Sequence, residues 1–501
     1  MVSKVLSAAV IGLDAAIIEV EAGVNNGLPN TIIVGLPDTS VQESKERVKT
    51  AIKNSGCSYP YTRVSVNLAP ADVPKLGTHF DLPIALCILL ASEQVVFNPS
   101  SKLFLGELSL DGSLRAVPGV LAVAIKAKEL GYKELYVPSA NAMEAALVDG
   151  LVIYGVESLS RLIQHLMGFV LMEAVTSVAP HGLLQNAAPL LDMSEIAGQE
   201  LAKRGLEIAA SGGHNILLSG PPGSGKTLLA RAMVGILPDL RMEEALELTK
   251  IYSIAGKLSS GLITSRPVRT PHHTASVVAL VGGGASPKPG EITLSHRGIL
   301  FLDEFPEFPR SILESLRQPL EDGMVTVSRI SATCTFPAKF TLVAAQNPCP
   351  CGYLGDPNKQ CNCTQPQIAK YHKKISGPLL DRIDLYVDVP RLPFEKIHNV
   401  EPSAASSVIK ARVEAARQVQ EQRFGSAKTN SEMNLKDIRS FCAIGESEQF
   451  LLKQAMARYN FSGRSMHRIL KVARTIADLA GQAVINASHI AEAIQYRPKT
   501  E

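Results

Sequence analysis

Asn215-Ile-Leu-Leu-Ser-Gly220-Pro221-Pro222-Gly223-Ser224-Gly225-Lys226-Thr227-Leu228 is the stretch that decides the fold. A short apolar run of strand length enters a glycine-rich turn, and a lysine and a threonine then open a segment from Leu228 to Ile236 read as a helix. Glycines let successive backbone N–H groups wrap around an anion, and the start of a helix adds positive potential there. Gly220 to Leu228 therefore reads as a phosphate cradle for ATP. Lys226 is placed to neutralise the β- and γ-phosphates, and the Thr227 hydroxyl to bind Mg²⁺.

A second element, Gly298-Ile-Leu-Phe-Leu-Asp303-Glu304, pairs an apolar strand with two carboxylates at its carboxyl end. Ligands of open α/β sheets bind at that end, so Asp303 is expected to hold Mg²⁺ and Glu304 to deprotonate the attacking water. Residues 227–302 separate Lys226 from Asp303, more than one strand and one crossover need, so the spacing predicts an insert. It carries Arg266, Arg269, His272, His273 and the glycine run Val281-Gly-Gly-Gly284. Adjacent histidines on a helix would point about 100° apart, which argues against a shared metal. A surface loop and a mobile loop that grips a polymer both fit.

Outward from this centre the chain divides into four. Residues 1–168 mix short alternating strands with helices, including a strand-turn-strand through Asp111-Gly112; 169–191 lack periodicity and read as a linker; 192–390 alternate strand and helix, as a largely parallel sheet does; and 391–501 are helical. A helix is expected over Glu195 to Ala210 ahead of the cradle. A hydrophobic share of 46% against 19% charged residues is that of a globular chain, and a net charge of +3 neither marks nor excludes a nucleic-acid partner. The longest apolar stretch, Leu82 to Ala91, is about half of what a bilayer needs, and Asp14, Glu19 and Glu21 follow the apolar start. No membrane association and a cytoplasmic location are expected.

Cys349-Pro-Cys351 and Cys361-Asn-Cys363 bracket a turn bearing Gly352, Gly355 and Pro357. Four thiolates suit tetrahedral Zn²⁺, and structural zinc is preferred here over four unrelated thiols or a redox switch.

Longer motifs carry a resemblance. Residues 192–231, Thr270-Pro-His-His-Thr-Ala-Ser276, Ser295-His-Arg-Gly-Ile-Leu-Phe-Leu-Asp-Glu304 and Ser376-Gly-Pro-Leu-Leu-Asp-Arg-Ile-Asp384 resemble the magnesium-chelatase-like branch of AAA+ ATPases. With Val34-Gly-Leu-Pro-Asp38 and Gly77-Thr-His-Phe-Asp-Leu-Pro-Ile-Ala-Leu86, the whole chain is similar to the ComM/YifB family. The fold this implies is α/β: an AAA+ P-loop core with a helical C-terminal lid, preceded by a Lon-protease-like (S5-type) α+β domain. By resemblance Asn347 is the sensor that polarises the attacking water, Arg382 the finger that reaches a neighbour's site, and Arg464 the C-terminal sensor arginine. The resemblance also implies a homohexameric ring acting on single-stranded or branched DNA as a branch-migration motor in natural transformation, with recombination proteins as further partners. The insert would then face the pore, as would Met324-Val-Thr-Val-Ser-Arg329, making His272, His273 and Arg329 candidate DNA contacts.

The Lon-like part departs from its pattern. Gly77-Thr-His-Phe-Asp81 stands where Lon has its nucleophilic serine, and Gly119-Val-Leu-Ala-Val-Ala124 where it has the partner lysine, so a scaffold or DNA-contacting role is expected. Two readings without DNA stay open, a partner-driven chelatase-like ATPase and a protein-remodelling one. The tail residues Arg464, His467, Arg468, Lys471 and Arg474 read as a solvated helix face in preference to a DNA contact.

Overall fold

The computed structural model describes residues 2–176, 191–259, 261–284, 287–328, 333–356, 359–393, 404–459 and 461–498. Most of the expected linker and Arg329 lie outside the described residues.

The amino-terminal part is built on a seven-stranded mixed sheet. Its order is Asn30–Val34, Arg63–Ala69, Asp14–Asn25, Val2–Ile11, Lys102–Phe104, Glu134–Pro138, Val152–Val156. Alternation along these strands sends side chains to two apolar clusters. One contains Val5, Ile18, Val20 and Leu68 under the helices Thr39–Asn54 and Asp81–Ala91. The other contains Ala8, Leu103 and Leu135 under Val120–Glu129 and Ser139–Ala145. Leu103 to Leu110 is not one strand: Lys102–Phe104 joins the large sheet, whereas Glu107–Leu108 pairs with Leu114–Arg115 across the Asp-Gly turn.

The central sheet has five strands, all parallel, in the order Val268–Arg269, Ile299–Leu302, Thr341–Gln346, Ile216–Ser219, Leu385–Asp388. Its three inner strands, Ile299–Leu302, Thr341–Gln346 and Ile216–Ser219, are mostly apolar because both faces are covered. Ile216, Leu218, Ile299, Phe301, Val343 and Ala345 face one cluster, and their neighbours Leu217, Leu300, Leu302, Leu342 and Ala344 face the other. The first cluster continues into the carboxyl-terminal helices through Ile409, Val413, Ile469, Val472 and Ile476, so this helical end and the sheet share one core.

Those helices follow the expected periodicity: Ser406–Phe424, Leu435–Phe441, Glu446–Tyr459, Gly463–Leu479 and Ala487–Gln495. The helix ahead of the cradle starts later than expected, at Glu200, because Gly198 and Gln199 take positive φ and break the chain between it and the turn Met193–Glu195. Several contacts tie the amino-terminal part to the centre, among them an ion pair between Lys250 and Asp14. Ser253 Oγ donates to the buried Glu144 carboxylate and accepts from Gly119 N at 2.9 Å. Leu13, in the first β-turn, packs into the cluster that holds Val325, Cys334 and Phe336 of the hairpin Met324–Ser328/Thr333–Pro337.

Among the described residues no helix is long and apolar enough to cross a membrane.

Candidate functional site

The strand Ile216–Ser219 sits between Thr341–Gln346 and Leu385–Asp388, where the strand order reverses. A crevice opens at the carboxyl ends of strands at such a point. The cradle leaves the sheet there, and its glycines have separate jobs. Gly220 lies so close to the neighbouring strand that an added Cβ would stand 2.1 Å from Val389 O. Gly223 and Gly225 have φ of 76° and 94°, which L side chains resist, and Gly225 caps the helix Lys226–Ala232.

Lys226 Nζ folds back over the loop, donating to Gly220 O at 2.6 Å, Pro221 O at 3.0 Å and Asn347 Oδ1 at 3.2 Å. Burial lowers its pKa, with Asp303 opposing. Thr227 Oγ1 donates to Asp303 Oδ2 at 2.8 Å, and Glu304 N donates to Asp303 Oδ1 at 2.9 Å. Glu304 itself takes a left-handed φ of 51°, an uncommon conformation for a non-glycine residue. Its carboxylate is half exposed and lies 3.3 Å from His273 Nδ1. Lys226, Thr227, Asp303, Glu304 and Asn347, from three separate stretches of sequence, thus converge on one crevice. The donor set fits its ligands: an ammonium for phosphate oxygens, and a hydroxyl and a carboxylate as oxygen ligands for Mg²⁺.

Arg382 and Arg464 stand elsewhere. Both line a cavity of about 1100 Å³ together with Asn215, Gly298, Thr341 and Asp384, residues at the amino ends of four central strands. They therefore occupy the edge of the sheet opposite the cradle. Arg382 donates to Pro378 O at 2.6 Å and pairs with Glu321, while its buried Nε has no partner among the described residues.

The four cysteine sulfurs lie within 4.8 Å of one another. Cys349–Cys351, Cys351–Cys361 and Cys349–Cys361 are 3.3, 3.6 and 3.7 Å apart, and all four are free thiols. Tetrahedral ligands at Zn–S distances of about 2.3 Å stand roughly 3.8 Å apart, so the cluster fits Zn²⁺.

The remaining candidates divide. The rings of His272 and His273 lie with centroids 4.1 Å apart, tilted by 33°, in the loop after Val268–Arg269, and His273 faces Glu304. Arg266 is internal, bonded to Pro238 O, Arg297 O and Glu244, and Arg269 is held by Glu291. The basic tail is not the solvated face its spacing suggests. Arg474 is only 2% exposed against Asp478, Arg468 pairs with the buried Asp384, and Lys471 caps Ser431 O. Sequence reasoning missed Gln199, whose amide donates to Pro390 O at 2.7 Å and Ser224 O at 3.3 Å and so staples the cradle. Its one local signal is the preceding glycine.

In the amino-terminal part, Asp81 is buried and receives two bonds from Arg47, at 2.8 and 3.1 Å, and Thr78 bonds Glu107. Burial pushes the His79 pKa down to about 4.

Comparison with known proteins adds the family. Residues 192–397 match the model described as magnesium chelatase, subunit ChlI; residues 20–141 match subunit ChlI of Mg-chelatase; and residues 403–497 match the ChlI C-terminal model. Competence protein ComM of Haemophilus influenzae is 43% identical over 98% of this chain and 97% of its own length. The uncharacterized protein YifB of Escherichia coli is 44% identical over 99% of this chain and 97% of its own. The chloroplastic magnesium-chelatase subunit ChlI of rice is more distant, 24% identical over 33% of this chain and 46% of its own. With a cradle, a carboxylate pair and full-length relatives of this kind, the chain belongs to the ComM/YifB family of magnesium-chelatase-like AAA+ ATPases.

Proposed function

We propose that this protein is an ATP-driven DNA translocase that works as a homohexameric ring and promotes branch migration when incoming DNA is integrated. The observation that carries the ATPase half is the convergence of Lys226, Thr227, Asp303, Glu304 and Asn347 on one crevice. In this reading Gly220 to Leu228 wrap the phosphates, and Lys226 shifts from its carbonyl partners to the β- and γ-phosphates. Thr227 and Asp303 hold Mg²⁺, which when bound neutralises charge on the phosphate oxygens. Glu304 takes the proton of the attacking water, released from His273, and Asn347 orients that water.

Arg382 and Arg464 supply cationic groups to the γ-phosphate of the adjacent subunit, because their edge of the sheet faces away from their own cradle. The DNA half rests on the relative named for competence and on the hairpin Met324–Ser328/Thr333–Pro337. Arg329, His272 and His273 remain candidate backbone contacts. The division at 1–168, 169–191, 192–390 and 391–501, a Lon-like first domain acting as scaffold, structural Zn²⁺ at the cysteines, recombination proteins as partners and a cytoplasmic location belong to the same reading. The absence of a serine from Gly77 to Asp81 and of a lysine from Gly119 to Ala124 supports a scaffold, since the nucleophile and its amine base are both missing there.

The test is ATP hydrolysis with and without single-stranded and branched DNA, followed by strand exchange on branched substrates. DNA-stimulated hydrolysis with branch movement is expected. Hydrolysis without DNA binding at low salt would refute the translocase and favour the chelatase-like or remodelling alternative.

A further inference from the structure

We infer that the cysteine knuckle is a strut for the nucleotide loop, so that metal at Cys349, Cys351, Cys361 and Cys363 and ATP in the cradle strengthen each other's binding. The inference rests on reading Gly220 to Leu228 as the ATP site. Gly352, one residue after Cys351, has a left-handed φ of 85° and lies flat against the cradle. A Cβ there would stand 2.7 and 2.8 Å from Cδ and Cγ of Pro222, and 3.8 Å from Cγ of Asn347. The knuckle therefore touches the loop that holds phosphate and the side chain that Lys226 bonds.

The same short run carries both roles. Asn347 accepts from Lys226, Pro348 O accepts from His372 Nε2 at 3.1 Å, and Cys349 is fully buried. On the other side of the cradle Gln199 fastens Ser224 O and Pro390 O, and Arg391, the next residue, lies 3.9 Å from the Asp356 carboxylate of the knuckle. The loop is thus held between the glutamine staple and the knuckle.

The physical chemistry of the cluster makes the strut conditional on metal. Four sulfurs this close are stable as thiolates only around a cation, because without one their charges repel. Lacking a cation, nothing bridges the four sulfurs, and the turn that carries Gly352 has few apolar side chains of its own to hold it. Pro222 and Asn347 then lose their backing, and the cradle has to be ordered by the nucleotide itself. Ordering that one ligand has already done is not repeated for the second, and such coupling is reciprocal.

The experiment uses the full chain. Zinc content is measured first, and binding of a non-hydrolysable ATP analogue is then titrated in zinc-loaded and chelator-stripped protein. Zn²⁺ affinity is measured in turn with and without the analogue. We expect one zinc per chain, analogue binding weaker by roughly tenfold after stripping, and the same factor in zinc affinity when the analogue is absent. Gly352→Ala keeps all four thiols but forces the cradle contact apart. It should retain zinc and far-UV circular dichroism while binding the analogue about as weakly as stripped protein.

Equal analogue affinity in loaded and stripped protein overturns the coupling, as does wild-type affinity in zinc-loaded Gly352→Ala. If stripping unfolds the chain, Gly352→Ala alone decides. A preparation that folds and binds the analogue tightly with no metal refutes the zinc site and the coupling with it. Failure of zinc-loaded wild type to bind the analogue refutes the ATP site instead.

Discussion

Gly220→Ala tests whether the position of the nucleotide loop is set by the strand beside it. Gly220 has no positive φ, so alanine meets no conformational strain there, only atoms. Its Cβ would stand 2.1 Å from Val389 O and 3.0 Å from Val389 C and Ser224 Oγ. Favourable carbon contacts begin near 3.5 Å, so the loop and the strand must part by more than about 1 Å. Val389 cannot swing away alone, because its N–H donates to Ser219 O at 2.7 Å and belongs to the sheet edge. Overpacking of this kind costs about 1–3 kcal/mol. A misplacement of about 1 Å in groups that position a reacting centre costs roughly 10²-fold in rate.

We therefore expect Gly220→Ala to melt several degrees lower and to lose about 10²-fold in kcat/KM for ATP. Gly223→Ala is the control for stability without nucleotide. An added Cβ there meets no atom within 4 Å, and only its φ of 76° resists the change. That costs about 1 kcal/mol. Thermal unfolding and steady-state ATP hydrolysis check both. A Gly220→Ala protein with wild-type melting and wild-type kcat/KM would refute the proposed restraint by Val389.

Glu304→Gln keeps the shape of the site but removes the base, so ATP binding should persist while turnover falls by roughly 10²–10⁴-fold, as read by equilibrium binding and phosphate release. Arg382→Ala should bind ATP and lose hydrolysis by about 10³-fold. Mixed with equal amounts of Lys226→Ala, it should regain up to roughly a quarter of wild-type activity, since random assembly pairs an intact cradle with an intact arginine at about one interface in four. Two inactive proteins that stay inactive on mixing would refute action between subunits.

Glu291→Gln tests the anchor of the insert. Burial opposes ionisation of Glu291, but Arg269 and Lys257 outweigh it and hold the carboxyl below its ordinary range. A depressed carboxylate pKa contributes stability above the unfolded value, near 4.3, that is lost as pH falls through the folded one. The variant should therefore be less stable by on the order of 1 kcal/mol at pH 7 after allowance for solvent screening. In urea titrations the gap should close progressively below about pH 4.

The parts of the site that sequence reasoning found are those whose chemistry is written locally. A glycine-rich turn between a strand and a helix, or two carboxylates ending an apolar run, implies its geometry from adjacent residues alone. The parts it missed depend on partners far along the chain. Gln199 is a staple only because Pro390 folds beside it, and His273 meets Glu304 only because the strand Val268–Arg269 pairs with Ile299–Leu302. The same limit explains the basic tail. Spacing alone placed Arg464, His467, Arg468, Lys471 and Arg474 on a solvated face, yet buried carboxylates at Asp384 and Asp478, brought in by tertiary packing, draw Arg468 and Arg474 inward. Propensity erred in a different way at the helix before the cradle, where left-handed Gly198 and Gln199 delay its start to Glu200.

A parallel sheet has two unlike edges, and this asymmetry bears on assembly independently of any relative. Every strand of the central sheet runs the same way, so everything that follows a strand, including the cradle, Asp303 and Asn347, gathers at one edge. Arg382 precedes the strand Leu385–Asp388, and Arg464 packs toward the amino ends with it. Strands of four to six residues separate the two edges by about 13–20 Å at roughly 3.3 Å per residue. One chain therefore carries the cradle and the two arginines proposed to complete it on opposite edges of the sheet. Copies that each present one edge to the other's opposite edge form a head-to-tail contact, and such contacts repeat until a rotation closes them into a ring. If copies assemble in this way, as proposed above, a cradle would be completed by the neighbour's cations, and hydrolysis at one site would report on the placement of the next subunit. In the proposed ring, that dependence would let ATP turnover pass from subunit to subunit as motion.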